Sequence, residues 1–226
     1  RGDFLYSTNN GGKTWELLSI PPNVNSLQFI DATNGFAESS GLCSFTCPIT
    51  FYKTDNGGHT WTKYREDSPN SFEIVFGSGI LFRSTENIWI SNYYADPFNY
   101  KYLYVTWDGA KTWHIKNMPF KHEEFSDADL DMVNPPVFFG ELGYVSAQYS
   151  KIVQDQEPKR LMAIFFTSDG GQTWKYQSSV TQIFHKPGYV DFVSPDIAFT
   201  ECKGSLCITR DGAQTWDVVK LNESQK

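Results

Sequence analysis

The densest run of chemically capable side chains is His122–Asp131 (HEEFSDADLD), with one imidazole and five carboxylates. Two carboxylates on facing loops, about 5 Å or about 6.5–9.5 Å apart, could cleave a glycosidic bond. Asp127 and Asp129 are the candidates for such a role. Without a cleft the same run is a solvated acidic loop, the usual fate of a charge run. Asp127, Asp129 and Asp131 at alternate positions also suggest a calcium loop. The glycine that an EF-hand loop needs is here Met132, however, and its closing Glu is Phe138, so no metal is assigned. His59, His114, His122 and His185 lie in different segments, and no Ser/His/Asp or Cys/His arrangement can be assembled. No cofactor is expected. A second candidate is Asn92–Tyr100 (NYYADPFNY), where Tyr93, Tyr94, Phe98 and Tyr100 surround Asp96. Such rings stack on sugars or anchor a protein partner, and they equally well pack a loop onto a sheet edge.

The four cysteines form two local pairs, Cys43/Cys47 and Cys202/Cys207. The second flanks Lys203–Leu206, which reads as a hairpin turn placing both sulfurs on facing strands. Disulfides persist outside the reducing cytosol, so the pairs point to a secreted or cell-envelope protein. A zinc site from all four would need distant segments to converge, and its spacings fit zinc motifs loosely. The formal charge of −7 and pI near 5.1 argue against nucleic acid, which demands clustered Lys and Arg. No apolar run approaches membrane-spanning length. The opening Arg1-Gly2-Asp3 spells an integrin-type tripeptide, best explained by chance.

The elements that must position these groups follow from a phrase repeated five times: Thr8–Trp15, Thr54–Trp61, Thr106–Trp113, Thr167–Trp174 and Thr209–Trp216. All fit Thr-x-(Asp/Asn)-Gly-(Gly/Ala)-x-Thr-Trp, and a recurring phrase signals a modular array. Around the second box lie four short strand-like runs, Ser26–Ile30, Gly35–Ser39, Ile49–Lys53 and Trp61–Tyr64, separated by turn residues. The third, fourth and fifth boxes repeat this plan, the fourth with a first strand at Val137–Gly140. Four antiparallel strands per unit, repeated radially, make a β-propeller blade. The expectation is an all-β, single-domain propeller over residues 1–226. It has an incomplete first blade at 1–20 and full blades near 24–66, 72–118, 134–180 and 187–221. Such a chain is five-bladed or part of a larger ring, and its tail is not expected to complete the opening half-blade.

Each box falls between third and fourth strands, as a hairpin turn. An Asp or Asn oxygen can accept from turn amides, and the next Gly supplies a positive φ. Trp15, Trp61, Trp113, Trp174 and Trp216 offer an apolar face and an N–H to anchor each hairpin. The acidic position is Asn10 and Asn56 in two boxes but Asp108, Asp169 and Asp211 in three. A metal ligand or acid catalyst would be missing from two copies, so the box reads as structural.

The phrase resembles the Asp-box, or BNR repeat, of sialidases, xyloglucan-cleaving glycosidases, the sortilin luminal domain and non-catalytic propellers. Phe29-Ile30-Asp31, Gly35-Phe36-Ala37 and Lys53–Trp61 also resemble the photosystem II assembly-factor type of propeller. A sialidase resemblance would imply an arginine triad, one Arg within R-I-P, and a Tyr/Glu nucleophile pair. The chain has five Arg and no R-I-P, so the resemblance is to non-sialidase members.

In a propeller the second-to-third and fourth-to-first connections emerge opposite the boxes. The long ones here are Ser39–Pro48, Asn92–Tyr100, Tyr149–Arg160, Arg65–Ser78, Pro119–Pro136 and Ser178–Gly188. Long loops on a repetitive scaffold carry function. The expected function is a non-catalytic exported scaffold binding a protein or glycan there. A glycoside hydrolase or lyase using carboxylates of that face is the alternative.

Overall fold

The computed structural model describes residues 4–40, 49–67, 77–92, 103–151, 159–182, 189–202 and 204–220. Tyr93, Tyr94, Asp96, Phe98, Tyr100, Cys43, Cys47 and the Arg1–Asp3 tripeptide lie outside them. Every sheet is antiparallel. A half-sheet pairs β1 (Leu5–Ser7) with β2 (Glu16–Leu18). The first full sheet runs β3 (Val24–Phe29), β4 (Gly35–Ser40), β5 (Ile49–Thr54), β6 (Thr62–Asp67). The second runs β7 (Gly77–Phe82), β8 (Ile88–Asn92), β9 (Leu103–Thr106), β10 (His114–Lys116). The third holds β11 (Asp129–Val133), β12 (Val137–Phe139), β13 (Leu142–Lys151), β14 (Lys159–Thr167) and β15 (Lys175–Gln182). The fourth runs β16 (Val190–Phe192), β17 (Ala198–Cys202), β18 (Ser205–Thr209), β19 (Asp217–Val218).

The chain clusters into two compact units, Arg1–Ile90 with Tyr104–His114, and Ser91–Leu103 with Ile115–Lys226. In the first, Phe36 stacks on Phe82 at 4.9 Å and Phe51 meets Phe82 edge-on. The Gln28 side chain adds a rung there: its amide donates to the Phe82 carbonyl and accepts the Phe82 N–H, both at 3.0 Å. In the second, Tyr144 stacks on Phe192 at 4.1 Å, and Met162, Ile164 and Ala213 close the core. Glycine stands at or next to the start of the second strand in the first and third sheets, because the first strand's aromatic lies over it. A Cβ on Gly35 would sit 2.8 Å from Phe29, and one on Gly143 would collide with Phe138.

Two expectations are corrected. The first strand of the third sheet does not begin at Val137. β11 and β12 pair in succession along β13, Asp129 opposite Ser150 and Phe139 opposite Leu142. Together they form one strand interrupted at Pro135-Pro136, which lack the N–H a ladder needs. Residues 129–133 therefore belong to a sheet rather than to a calcium loop, with Asp131 at a bulge between Leu130 and Met132. The turn between the last cysteines is also tighter than four residues. Ser205 and Leu206 are already in β18, and Cys202 pairs with Ser205 while Cys207 pairs with Thr200. The two cysteines are thus diagonal on facing strands, joined as a disulfide with Cα atoms 5.8 Å apart. The pair packs with Val180 and Trp216.

Candidate functional site

All five boxes close the same ring. The first Thr Oγ1 accepts the N–H of the fifth residue: Gly12, Gly58, Ala110, Gly171 or Ala213, at 2.9–3.1 Å. The Asn or Asp Oδ1 accepts the N–H of the second Thr in each box, at 2.8–3.0 Å. The third and fifth boxes add a bond from the sixth residue, Lys111 or Gln214 N–H to Oδ1 at 3.0 Å, and in all three Asp boxes the threonine hydroxyl bond changes direction. Thr112, Thr173 and Thr215 donate their hydroxyls to the Asp Oδ2 at 2.6 Å. Thr14 and Thr60 instead accept from the Asn Nδ2 at 2.8 Å. A hydroxyl that can donate or accept makes carboxylate and amide interchangeable here. The hydroxyl and N–H of Thr112 and Thr173 hold the carboxyls of Asp108 and Asp169 far below the ordinary range. Those of Thr215 hold Asp211 down to about 2. The fourth and fifth residues are both left-handed, even where the fifth is Ala110 or Ala213, at φ 68° and 64°.

Two of the box tryptophans, Trp61 and Trp216, also bond between sheets. Trp61 Nε1 donates to the Ser19 carbonyl at 3.0 Å, while the Ser19 hydroxyl donates to the His59 carbonyl at 2.7 Å. A related contact, made through the serine hydroxyl alone, joins the third sheet to the fourth. Trp216 Nε1 donates to Ser178 Oγ at 3.4 Å, and that hydroxyl donates to the Ala213 carbonyl. Ser19 and Ser178 each stand four residues after a box Trp, a spacing visible in the sequence. Trp15 differs, donating to its own Gly12 carbonyl at 3.1 Å.

The connection Pro119–Ala128 is no loose acidic loop. A single 3-10 turn at Glu123–Phe125 lays it across β13, β14 and β15. Phe120 meets Phe165 edge-on at 5.4 Å, Phe125 lies on Tyr149 at 4.2 Å, and His122 lies on Tyr176 at 4.0 Å. The Tyr149 hydroxyl donates to the Phe120 carbonyl at 2.7 Å. Glu124 accepts from the hydroxyls of both Tyr176 and Ser179. Burial, helped by the Glu124 carboxylate, pushes the Tyr176 phenol up to about 12. At neutral pH the phenol is therefore protonated and donates to the Glu124 carboxylate.

Of the predicted site residues, Asp127 is exposed and pairs with Lys151, whose hydrogen bond lowers its carboxyl. Asp129 is exposed at the start of β11, opposite Ser150. Asp131 is the better connected acid: it accepts from Ser150 Oγ at 2.9 Å and Gln148 Nε2 at 3.4 Å. Just beyond, Asn134 Nδ2 donates to Ser146 Oγ at 2.8 Å, giving this strand pair a buried polar ladder. Its counterpart in the first sheet is Asn25 Nδ2 donating to Glu38 Oε1 at 3.4 Å. Glu38 is buried, and desolvation pushes its carboxyl up. It was not singled out from sequence, although an acid inside the run Gly35-Phe36-Ala37-Glu38 breaks the apolar pattern. Among the described residues no three His, Cys, Asp or Glu come together, and no helix is long and apolar enough to cross a membrane.

No protein-family model matches the chain, and no curated protein does. Solved structures do. A mutant of the α-L-arabinofuranosidase Arb93A from Fusarium graminearum, in complex with an iminosugar inhibitor, superposes with a TM-score of 0.56 at 12 % identity, over 95 % of this chain and 72 % of that one. The GH93 α-L-arabinofuranosidase of the same organism with arabinobiose gives 0.55 at 13 %, over 94 % and 71 %. YCF48 from Cyanidioschyzon merolae gives 0.43 at 12 %, over 96 % and 66 %. At such identities the likeness shows the fold alone. The chain is an all-β propeller fold, with four complete antiparallel blades and a two-stranded half-blade.

Proposed function

We propose that the chain is an Asp-box propeller domain, most like the photosystem II assembly-factor type, that serves as an exported, non-catalytic binding scaffold. A protein or glycan ligand would dock on the strand ends opposite the boxes, with Asp127 and Asp129 and the Tyr93–Tyr100 loop among its contacts. The observation that carries this reading is the box ring itself. Each Asp or Asn is consumed as an acceptor within its own turn, leaving recognition to the connections at the other end. The Cys202–Cys207 disulfide supports an extracytoplasmic location.

A second reading, a glycoside hydrolase or lyase, draws on Glu38. A buried carboxyl raised by desolvation is the form in which a general acid is stored. A glycan array run beside hydrolysis assays separates the two. Binding without turnover is expected. Turnover abolished by Glu38→Gln, Asp127→Asn or Asp129→Asn would replace the scaffold reading with the enzymatic one.

A further inference from the structure

The second residue of each box and the residue just after the box Trp flank one turn. The pairs are Asn9 and Glu16, Asp55 and Thr62, Trp107 and His114, Ser168 and Lys175, and Arg210 and Asp217. In the last box they make an exposed ion pair, Arg210 to Asp217 at 3.7 Å. In the third they are two rings with centroids 5.2 Å apart, tilted by 38°. Closing the turn does not need those rings, since the third box closes through Thr106, Asp108 and Thr112 as the others do. Packing does not need them either, because Trp113 is the indole buried in this hairpin, next to Phe51. Trp107 stays 50 % exposed, at a place where the other four boxes carry polar residues. Its blade has all four strands, with β9 between β8 and β10, so a missing neighbour strand does not explain the exposure.

Half an indole is about 100 Å² of apolar surface, far below the roughly 800 Å² that each partner gives to a stable protein interface. The turns around it are polar as well. Thr85 and Glu86, on the turn that Gly109 touches, are exposed, and so are Lys111 and Thr112 on its own turn. One flat ring in a polar setting suits a molecule that is itself flat, apolar on its faces and polar at its rim.

We propose that Trp107, backed by His114, is a glycan platform for the flat face of an equatorially substituted pyranose, as in a β-linked glucan. Each such ring carries C–H bonds on both faces and its hydroxyls at the edge. A face stacks on the indole, and the rim hydroxyls bond the Glu86 carboxylate, the Lys111 amine and water. A protein hot spot would instead sit inside a wider ring of water-excluding contacts. This is a second site, at the box end of the second blade and apart from the connections that the scaffold reading uses.

Cellopentaose titrated into the intact protein, followed by NMR of the indole N–H groups, tests this. The Trp107 signal, identified as the one missing in Trp107→Asp, is expected to shift saturably with a Kd on the order of 1 mM, while that of buried Trp113 stays in place. Trp107→Asp copies the second box and keeps the turn, which an unchanged urea midpoint verifies, and it should weaken binding about tenfold or more. Trp107→Tyr, which keeps a flat ring, should retain most of the affinity. Sorbitol, a polyol without a ring face, should shift nothing. No shift at Trp107 up to the solubility limit of the sugar overturns the proposal, as does an equal response to sorbitol or binding that survives Trp107→Asp. Shifts at the Asp127–Asp129 amides instead would place the sugar at the connections, overturning this site while leaving the scaffold reading in force.

Discussion

In the first box hairpin Trp15 folds its indole onto its own Gly12 and stays largely exposed, whereas in the last Trp216 reaches back to Ser178 and is half-covered. The turns themselves are the same, with each first Thr accepting from the fifth residue at 2.9 Å. The difference teaches that the box has two separable parts. The Thr–Asx ring is local and forms wherever the phrase occurs. The tryptophan's contribution depends on the sheet placed before it.

Substituting the tryptophans tests this most severely. Trp216→Ala should cost about 2–3 kcal/mol, from lost packing on Val180 and the disulfide and from the lost Ser178 contact. Trp15→Ala should cost less than about 0.5 kcal/mol, as for an exposed residue. Equal shifts in urea midpoint would erase the distinction. Replacing Cys202 and Cys207 by Ser is next, at about 2 kcal/mol for so short a loop, and thiol titration of the native protein should find both blocked. Ser19→Ala should cost about 1 kcal/mol and Ser178→Ala more, because Ser178 Oγ also accepts from Trp216 whereas Trp61 bonds the Ser19 carbonyl, which the substitution keeps. Equal costs would show that the tryptophan bond at Ser178 contributes nothing.

The carboxylate boxes carry a pH dependence that the amide boxes lack. Asp211 ordinarily titrates at 3.8 and is lowered to about 2 in the fold. A depressed folded value means its contribution is full above about pH 4 and is lost as pH falls toward 2. The advantage of the parent over Asp211→Asn should therefore be present at pH 6 and vanish near pH 2. A difference independent of pH would show that charge plays no part. The turn backbone is tested by Ala213→Gly. Relief of a left-handed alanine and the added freedom of glycine nearly cancel, leaving about 1 kcal/mol for the methyl buried with Met162 and Ile164.

Strand order, hairpin positions and the five turns were legible because each is written within a few neighbouring residues. Thr, Asx and Gly at fixed offsets specify their own hydrogen bonds. What escaped was written across distance. Ser19, just past β2, and Ser178, within β15, look like ordinary serines until a second box is brought beside them. β11 was hidden because Pro135-Pro136 splits it and because acids at alternate positions look like solvated loop. Glu124 was counted among loose carboxylates, yet Tyr176 and Ser179 capture it from residues more than fifty positions away. Of the predicted ligand contacts, Asp127 and Asp129 lie among the described residues, just before and at the start of β11.

The reversible role of the second box threonine also bears on how the protein ages. Asn10-Gly11 and Asn56-Gly57 are Asn–Gly pairs, the dipeptide in which the following amide most readily attacks the side chain and expels ammonia. Where hydrolysis restores the normal linkage, the product is Asp-Gly, the pair already present in the other three boxes. Thr14 or Thr60 then needs only to rotate its hydroxyl from accepting to donating. The first two turns can thus gain a negative charge over a protein's lifetime and still close.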